Sequence, residues 1–108
     1  MRKIETQMIE AVKNNQDWHS ANTAVECDNG ISTVKLHGHV IAEVGDSFIR
    51  LFDGGHQTNT TKSRLNAILN GCGLPGERVF AKKFEWFINL RTPSGVITVP
   101  FFSSMKLA

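Results

Sequence analysis

Thr23-Ala24-Val25-Glu26-Cys27-Asp28-Asn29-Gly30-Ile31-Ser32-Thr33-Val34-Lys35-Leu36 sets two alternating runs on either side of an Asn-Gly pair. Such a pair between β-type runs is the strongest short hairpin signal, because both residues of a type I′ turn need positive φ. With Asn29 and Gly30 as the loop, Cys27 faces Ser32, Val25 faces Val34 and Thr23 faces Leu36. The apolar positions of both strands then share one face, so the register is self-consistent.

Working outward from this hairpin, a turn at His37-Gly38-His39 sets Leu36 opposite Val40 and Val34 opposite Ala42. Another at Gly45-Asp46 sets Val44 against Ser47, Ala42 against Ile49 and Val40 against Leu51. The expectation is a four-stranded antiparallel meander over residues 23–52. Its other face carries Ile41, Phe48, Arg50 and Phe52 beside Glu26, Thr33, Lys35 and Glu43. Ile41, Phe48 and Phe52 give that face more apolar area than a solvated sheet needs, so these residues with Arg50 form a candidate protein-interaction surface. The rest of the chain is the alternative cover, and a second copy in a homodimer is a further one.

Before the meander, Ile4, Met8, Ala11 and Val12 recur at helical spacing, which predicts an amphipathic helix over residues 2–14 ended by Asn14-Asn15. After it, hydroxyl residues at 58–61 precede Leu65, Ala67, Ile68 and Leu69, with Asn70-Gly71 beyond, which predicts a second helix over residues 60–70. Phe80, Phe84, Trp86, Ile88 and Leu90 share one parity and read as the core side of a strand. A turn at Thr92-Pro93-Ser94-Gly95 then pairs Leu90 with Ile97, Ile88 with Val99 and Trp86 with Phe101. The predicted order is α-β-β-β-β-α-β-β, an α+β fold in a single domain over residues 1–108.

Composition agrees with one domain: 108 residues, 41% hydrophobic and 20% charged, are near globular averages. No apolar run approaches the roughly 20 residues that cross a bilayer, and Met1-Arg2-Lys3-Ile4-Glu5-Thr6-Gln7 lacks a signal-peptide core, so the cytoplasm is the expected location. In that compartment Cys27 and Cys72 are expected as thiols. The net charge of +2 does not select a partner; where the cations sit is more informative.

Gly54-Gly55-His56-Gln57-Thr58-Asn59-Thr60-Thr61-Lys62-Ser63 ends like a phosphate-binding loop but has His56 and Thr61 where that loop needs glycines. Nucleotide hydrolysis is therefore not expected. Lys62 and Arg64 nonetheless lie in the first turn of the second helix, where the dipole disfavours cations by typically 0.3–1 kcal/mol. An anion would reverse that penalty, and with the Thr60 and Thr61 hydroxyls the helix start is a candidate phosphate contact for DNA or RNA. Lys82 and Lys83 beside Phe84, Trp86 and Phe87 interleave cations with aromatics as single-strand binders do, though parity assigns Phe84 and Trp86 to the core and leaves Phe87 and Lys83 as surface contacts. His37 and His39 supply two imidazoles, fewer than a zinc site uses, so they read as turn residues and no metal or other cofactor is expected. No Gly-x-Ser-x-Gly or reactive-cysteine context points to an enzyme.

At Leu36-His37-Gly38-His39-Val40-Ile41-Ala42-Glu43-Val44, Thr60-Thr61-Lys62-Ser63-Arg64-Leu65-Asn66-Ala67, Phe84-Glu85-Trp86-Phe87 and Pro100-Phe101-Phe102 the chain resembles small accessory proteins of tailed, short-tailed (podovirus-like) bacteriophages. The resemblance covers most of the chain. It implies a phage accessory protein acting in the host cytoplasm on host machinery or nucleic acid, and it transfers no catalytic residue. The leading expectation is nucleic-acid binding through Thr60, Thr61, Lys62, Arg64, Lys82 and Lys83; the alternative is a host-protein-binding inhibitor or adaptor using the Ile41, Phe48, Arg50 and Phe52 face.

Overall fold

The computed structural model describes residues 2–107. Helix α1, Lys3–Lys13, buries Met8, Ile9, Ala11 and Val12 on one face. It ends where Asn15 takes a φ of 53°. The Asn15 and Gln16 amides close back onto the Val12 and Ala11 carbonyls, a Schellman closure that asparagine tolerates in the left-handed region.

Strands β1 (Trp18–Ser20), β2 (Thr23–Asp28), β3 (Ile31–Leu36), β4 (His39–Val44) and β5 (Ile49–Leu51) lead to helix α2, Asn59–Cys72. Then come β6 (Arg78–Lys82), β7 (Glu85–Thr92), β8 (Gly95–Pro100) and β9 (Met105–Leu107). The strands form two antiparallel sheets, one ordered β1-β2-β3-β4-β5-β9 and one ordered β6-β7-β8. The fold is α+β as expected, with three short or split strands beyond the predicted set.

The first hairpin has the predicted register throughout, with Asn29 at φ 51° and Gly30 at 77°. The next two turns differ. His37 and Gly38 alone form the second turn, so Leu36 pairs with His39 and Lys35 with Val40, yet Val34 still meets Ala42. The residue taking up the slack is Ile41, left without a partner as a β-bulge. Its carbonyl accepts from the Phe52 amide at 2.8 Å. At the third turn four residues rather than two connect the strands, so Val44 pairs with Ile49 and Ala42 with Leu51. Phe48 lays its ring over Gly45, where a Cβ would sit 2.3 Å from the ring edge, and this fold-back lengthens the loop.

α2 also runs past its predicted end. Gly71 lies inside the helix, where a Cβ would stand 2.7 Å from Ile9 Cγ2; glycine there permits the close approach of α2 to α1 rather than stopping the helix. The strand expected from Phe80 to Leu90 is instead a hairpin turning at Lys83 and Phe84, both at positive φ.

One core joins these layers. Met8 and Val12 from α1, Leu65, Ile68 and Leu69 from α2, and Val25, Val34, Leu51 and Leu107 from the first sheet belong to the same apolar cluster as Val79, Trp86 and Ile88 of the second and Phe101 just after it. α2 lies between the sheets, touching β4 on one side and β6 on the other. Its Asn66 amide donates to the Val79 carbonyl and accepts from the Val79 amide, at 2.9 and 2.7 Å. That side chain occupies the outer edge of β6 as a neighbouring strand would.

Candidate nucleic-acid interface

The start of α2 is capped by Thr58, whose hydroxyl accepts from the Thr61 amide at 3.1 Å. Thr61 is buried, and its hydroxyl donates to the His56 carbonyl at 3.2 Å. Arg64 is 3% exposed. Its guanidinium donates to Glu5 Oε2 at 2.8 Å and to the Thr23 hydroxyl at 3.0 Å. The expected phosphate cradle therefore loses two of its four groups: Thr61 and Arg64 are committed to the fold. Lys62 and Thr60 remain half-exposed.

Asn66, one turn after Lys62, grips Val79, and β6 runs back along α2 from Glu77, whose carboxylate accepts from the Leu74 amide just beyond the helix end. Lys62 and the Lys82-Lys83 turn consequently extend past the Asn66–Val79 pair toward one end of the molecule. Both Lys82 and Lys83 are exposed there. The chain directions of α2 and β6 thus set Lys62 and the Lys82-Lys83 turn on the same side of the Asn66–Val79 pair, while Arg64 is turned inward.

The hairpin also reassigns the aromatics. In a single strand Phe80 would share a face with Trp86; folded at Lys83-Phe84, Phe80 pairs with Phe87. Their rings stack at 5.8 Å with planes 26° apart, half-exposed on the side away from the core. The Arg78 guanidinium stands 5.9 Å from the Phe80 ring centre, within cation–π range. Alternation places Arg78, Phe80 and Lys82 of β6 beside Asn89, Phe87 and Glu85 of β7 and Thr98 of β8 on this outer face. Among the described residues Arg78, Lys82, Lys83 and Arg91 have no carboxylate within ion-pair distance. Trp86 does face the core as predicted, edge-on to Phe101 at 5.5 Å. Phe84 does not: it is 103% exposed at the turn. Arg78 and Phe80 were missed as site residues because the turn that aligns them has no glycine to mark it.

On the first sheet, Ile41 is 1% exposed rather than part of an open face. The bulge makes it the odd residue of its strand, and Gly54 packs over it, so that a Cβ on Gly54 would lie 3.3 Å from Ile41 Cγ2. Phe48 is half-buried under Lys106 Nζ, 5.3 Å from its ring centre. Arg50 donates to the Ser104 carbonyl at 3.1 Å and faces Glu43 at 3.7 Å. With Phe52 half-exposed, the expected interaction surface contracts to Phe48, Arg50 and Phe52.

His37 and His39 meet His56, Asp53 and Thr60 around a cleft of 260 Å³ floored by Leu36 and Ile41. The His39 and His56 rings stand edge to face, 6.1 Å apart. No three metal-ligating side chains among the described residues are grouped to hold an ion. Cys27 and Cys72 are free thiols, and no helix among the described residues is long and apolar enough to cross a membrane.

Fold and surface together define a small α+β protein whose second sheet presents a basic, aromatic outer face. A family model described as Kyanoviridae Gp96 protein matches residues 1–108, and the chain belongs to that family of phage proteins. The phage resemblance stands at this level; its short-tailed, podovirus-like part does not carry over, because the family is one of cyanophages of the myovirus type. No curated protein and no solved structure matches the chain.

Proposed function

We propose that this phage protein binds single-stranded nucleic acid, without catalysing a reaction, on the outer face of the β6-β7-β8 sheet. The observation that carries the reading is the stacked, half-exposed Phe80–Phe87 pair, with Arg78 against the Phe80 ring and Lys82 and Lys83 at the end of the same hairpin, none of the three with an ion partner among the described residues. An exposed aromatic face accepts bases of any identity by stacking, at about 1–3 kcal/mol per base, while lysine and arginine neutralise the phosphates. Arg78, Lys82 and Lys83 are the proposed phosphate contacts on the sheet, and Lys62 extends the basic surface at the same end.

Fluorescence anisotropy with labelled DNA and RNA oligonucleotides at low salt tests the reading. The wild-type protein should bind both, and Phe87→Ala should weaken binding about tenfold while leaving the fold intact by circular dichroism. Lys82→Glu with Lys83→Glu should weaken it further. Absence of binding at low salt, or binding indifferent to Phe87→Ala, would remove the proposal. A host-protein partner would instead engage Phe48, Arg50 and Phe52. A protein recovered from nuclease-treated host lysate and lost on Phe48→Asp would favour that alternative.

A further inference from the structure

The β6-β7 turn is built against local preference. A two-residue hairpin turn with both φ values positive is the place for Asn-Gly, as at Asn29-Gly30 in this same chain. Here the two residues are Lys83 at φ 52° and Phe84 at φ 67°. Positive φ is uncommon for any residue with a side chain and an outlier for a bulky one. The aromatic ring gains no packing in return, being 103% exposed. A strained backbone carrying a large apolar side chain into water is the kind of observed outlier from which function is inferred.

Its surroundings choose the partner. Phe84 directly follows Lys82 and Lys83, and Lys62 precedes Asn66 on the side of the Asn66–Val79 pair toward which β6 runs. Two residues before Lys82, and on the same side of β6, lies Phe80 of the stacking face. An apolar side chain preceded by Lys82 and Lys83 and followed by Glu85, at the tip of a two-stranded ribbon, has the form of the wedges that enter base steps and unstack them. A single strand lying along the outer face would bring its junction with a duplex to this tip.

We infer that Phe84 is a wedge that inserts at the junction between duplex and single-stranded nucleic acid, so that the preferred ligand is a tailed or locally opened duplex. This rests on the single-strand reading above. The wedge supplies differential affinity for the opened step only; no bond is made or broken.

The experiment uses three oligonucleotides, a single strand, a blunt duplex and a duplex with a single-stranded tail, with 2-aminopurine at the junction pair of the last. The wild-type protein should bind the tailed duplex about tenfold more tightly than the blunt one and raise the 2-aminopurine fluorescence as the base unstacks. Phe84→Ala should abolish both effects and leave single-strand affinity within about twofold, since the stacking pair is untouched. Lys83→Asn with Phe84→Gly restores the favoured turn sequence. It should raise Tm by about 4–8 °C while also losing the junction preference, a combination that a merely structural role would not give. Junction preference that survives Phe84→Ala, or no fluorescence change with wild-type protein, overturns the wedge and leaves single-strand binding standing. Failure of every oligonucleotide overturns both readings. Tight binding to anionic phosphatidylglycerol vesicles with no junction preference assigns the tip to a membrane surface and also overturns the wedge.

Discussion

At Glu5 a carboxylate lies almost wholly out of water, 2.6 Å from the Ser63 hydroxyl and 2.8 Å from the Arg64 guanidinium. Burial pushes its pKa up, but the hydrogen bonds from Ser63, Arg64 and the Arg2 amide, with the Arg64 charge, outweigh that and hold it below the ordinary value. A carboxyl depressed in the folded state stabilises the fold above its unfolded pKa, near 4.3 for glutamate. That stability is lost as pH falls through the folded value. Urea unfolding of the wild type should therefore weaken more steeply below about pH 5 than that of Glu5→Gln. Arg64→Met, which leaves the buried carboxylate unpaired, should destabilise by about 3–5 kcal/mol at neutral pH. Indifference of the unfolding midpoint to Arg64→Met would contradict the pairing. The pair also shows why Arg64 reads from sequence as an anion-seeking cation. Its place near a helix start is local information, and with α2 beginning at Asn59 it falls in the second turn rather than the first, whereas Glu5 lies on another helix and becomes its partner only through packing.

Among the elements, local chemistry was legible and coverage was not. Asn29-Gly30 dictates its own register, and Thr92 to Gly95 does nearly as well, because turn residues act within a few positions. β1 and β9, three residues each, carry too little alternation to stand out and form only because a neighbouring edge receives them. Ile41 reads as outward-facing by strict alternation; one bulged residue inverts it. Gly71 reads as a helix stop although its role is contact, and here two magnitudes compete. Gly71→Ala gains about 0.8–1 kcal/mol of helix propensity. The added Cβ, 2.7 Å from Ile9 Cγ2, forces overpacking that typically costs 1–3 kcal/mol. The net expectation is a loss of about 1 kcal/mol in urea unfolding, and Ile9→Ala in the same chain should recover much of that increment through a favourable coupling term. A simple gain in stability on Gly71→Ala would show that α1 yields freely.

For the molecule as a whole, a formal net charge of +2 means that long-range attraction to nucleic acid is modest, and the salt response reports local contacts. With Lys62, Arg78, Lys82 and Lys83 each neutralising one phosphate, log K against log salt should slope at about −2.8 for a single strand, and Lys62→Glu should remove about 0.7. A slope near zero would exclude phosphate contacts; one twice as steep would indicate binding as the homodimer that Phe52 could join, and Phe52→Glu would then halve it. The outer face of the second sheet was partly legible, through Lys82, Lys83 and Phe87, while Arg78 and Phe80 needed the unmarked turn. The first sheet, finally, is sealed by β9, which pairs with β5 across about fifty intervening residues that contain the whole second sheet. At roughly 5–20 residues per second, a nascent chain holds the β5 edge, with Ile49 and Leu51, unpaired for roughly 3–10 s. During synthesis that edge is an open template for a further strand until the last residues emerge, so slower translation lengthens the time for which it is exposed.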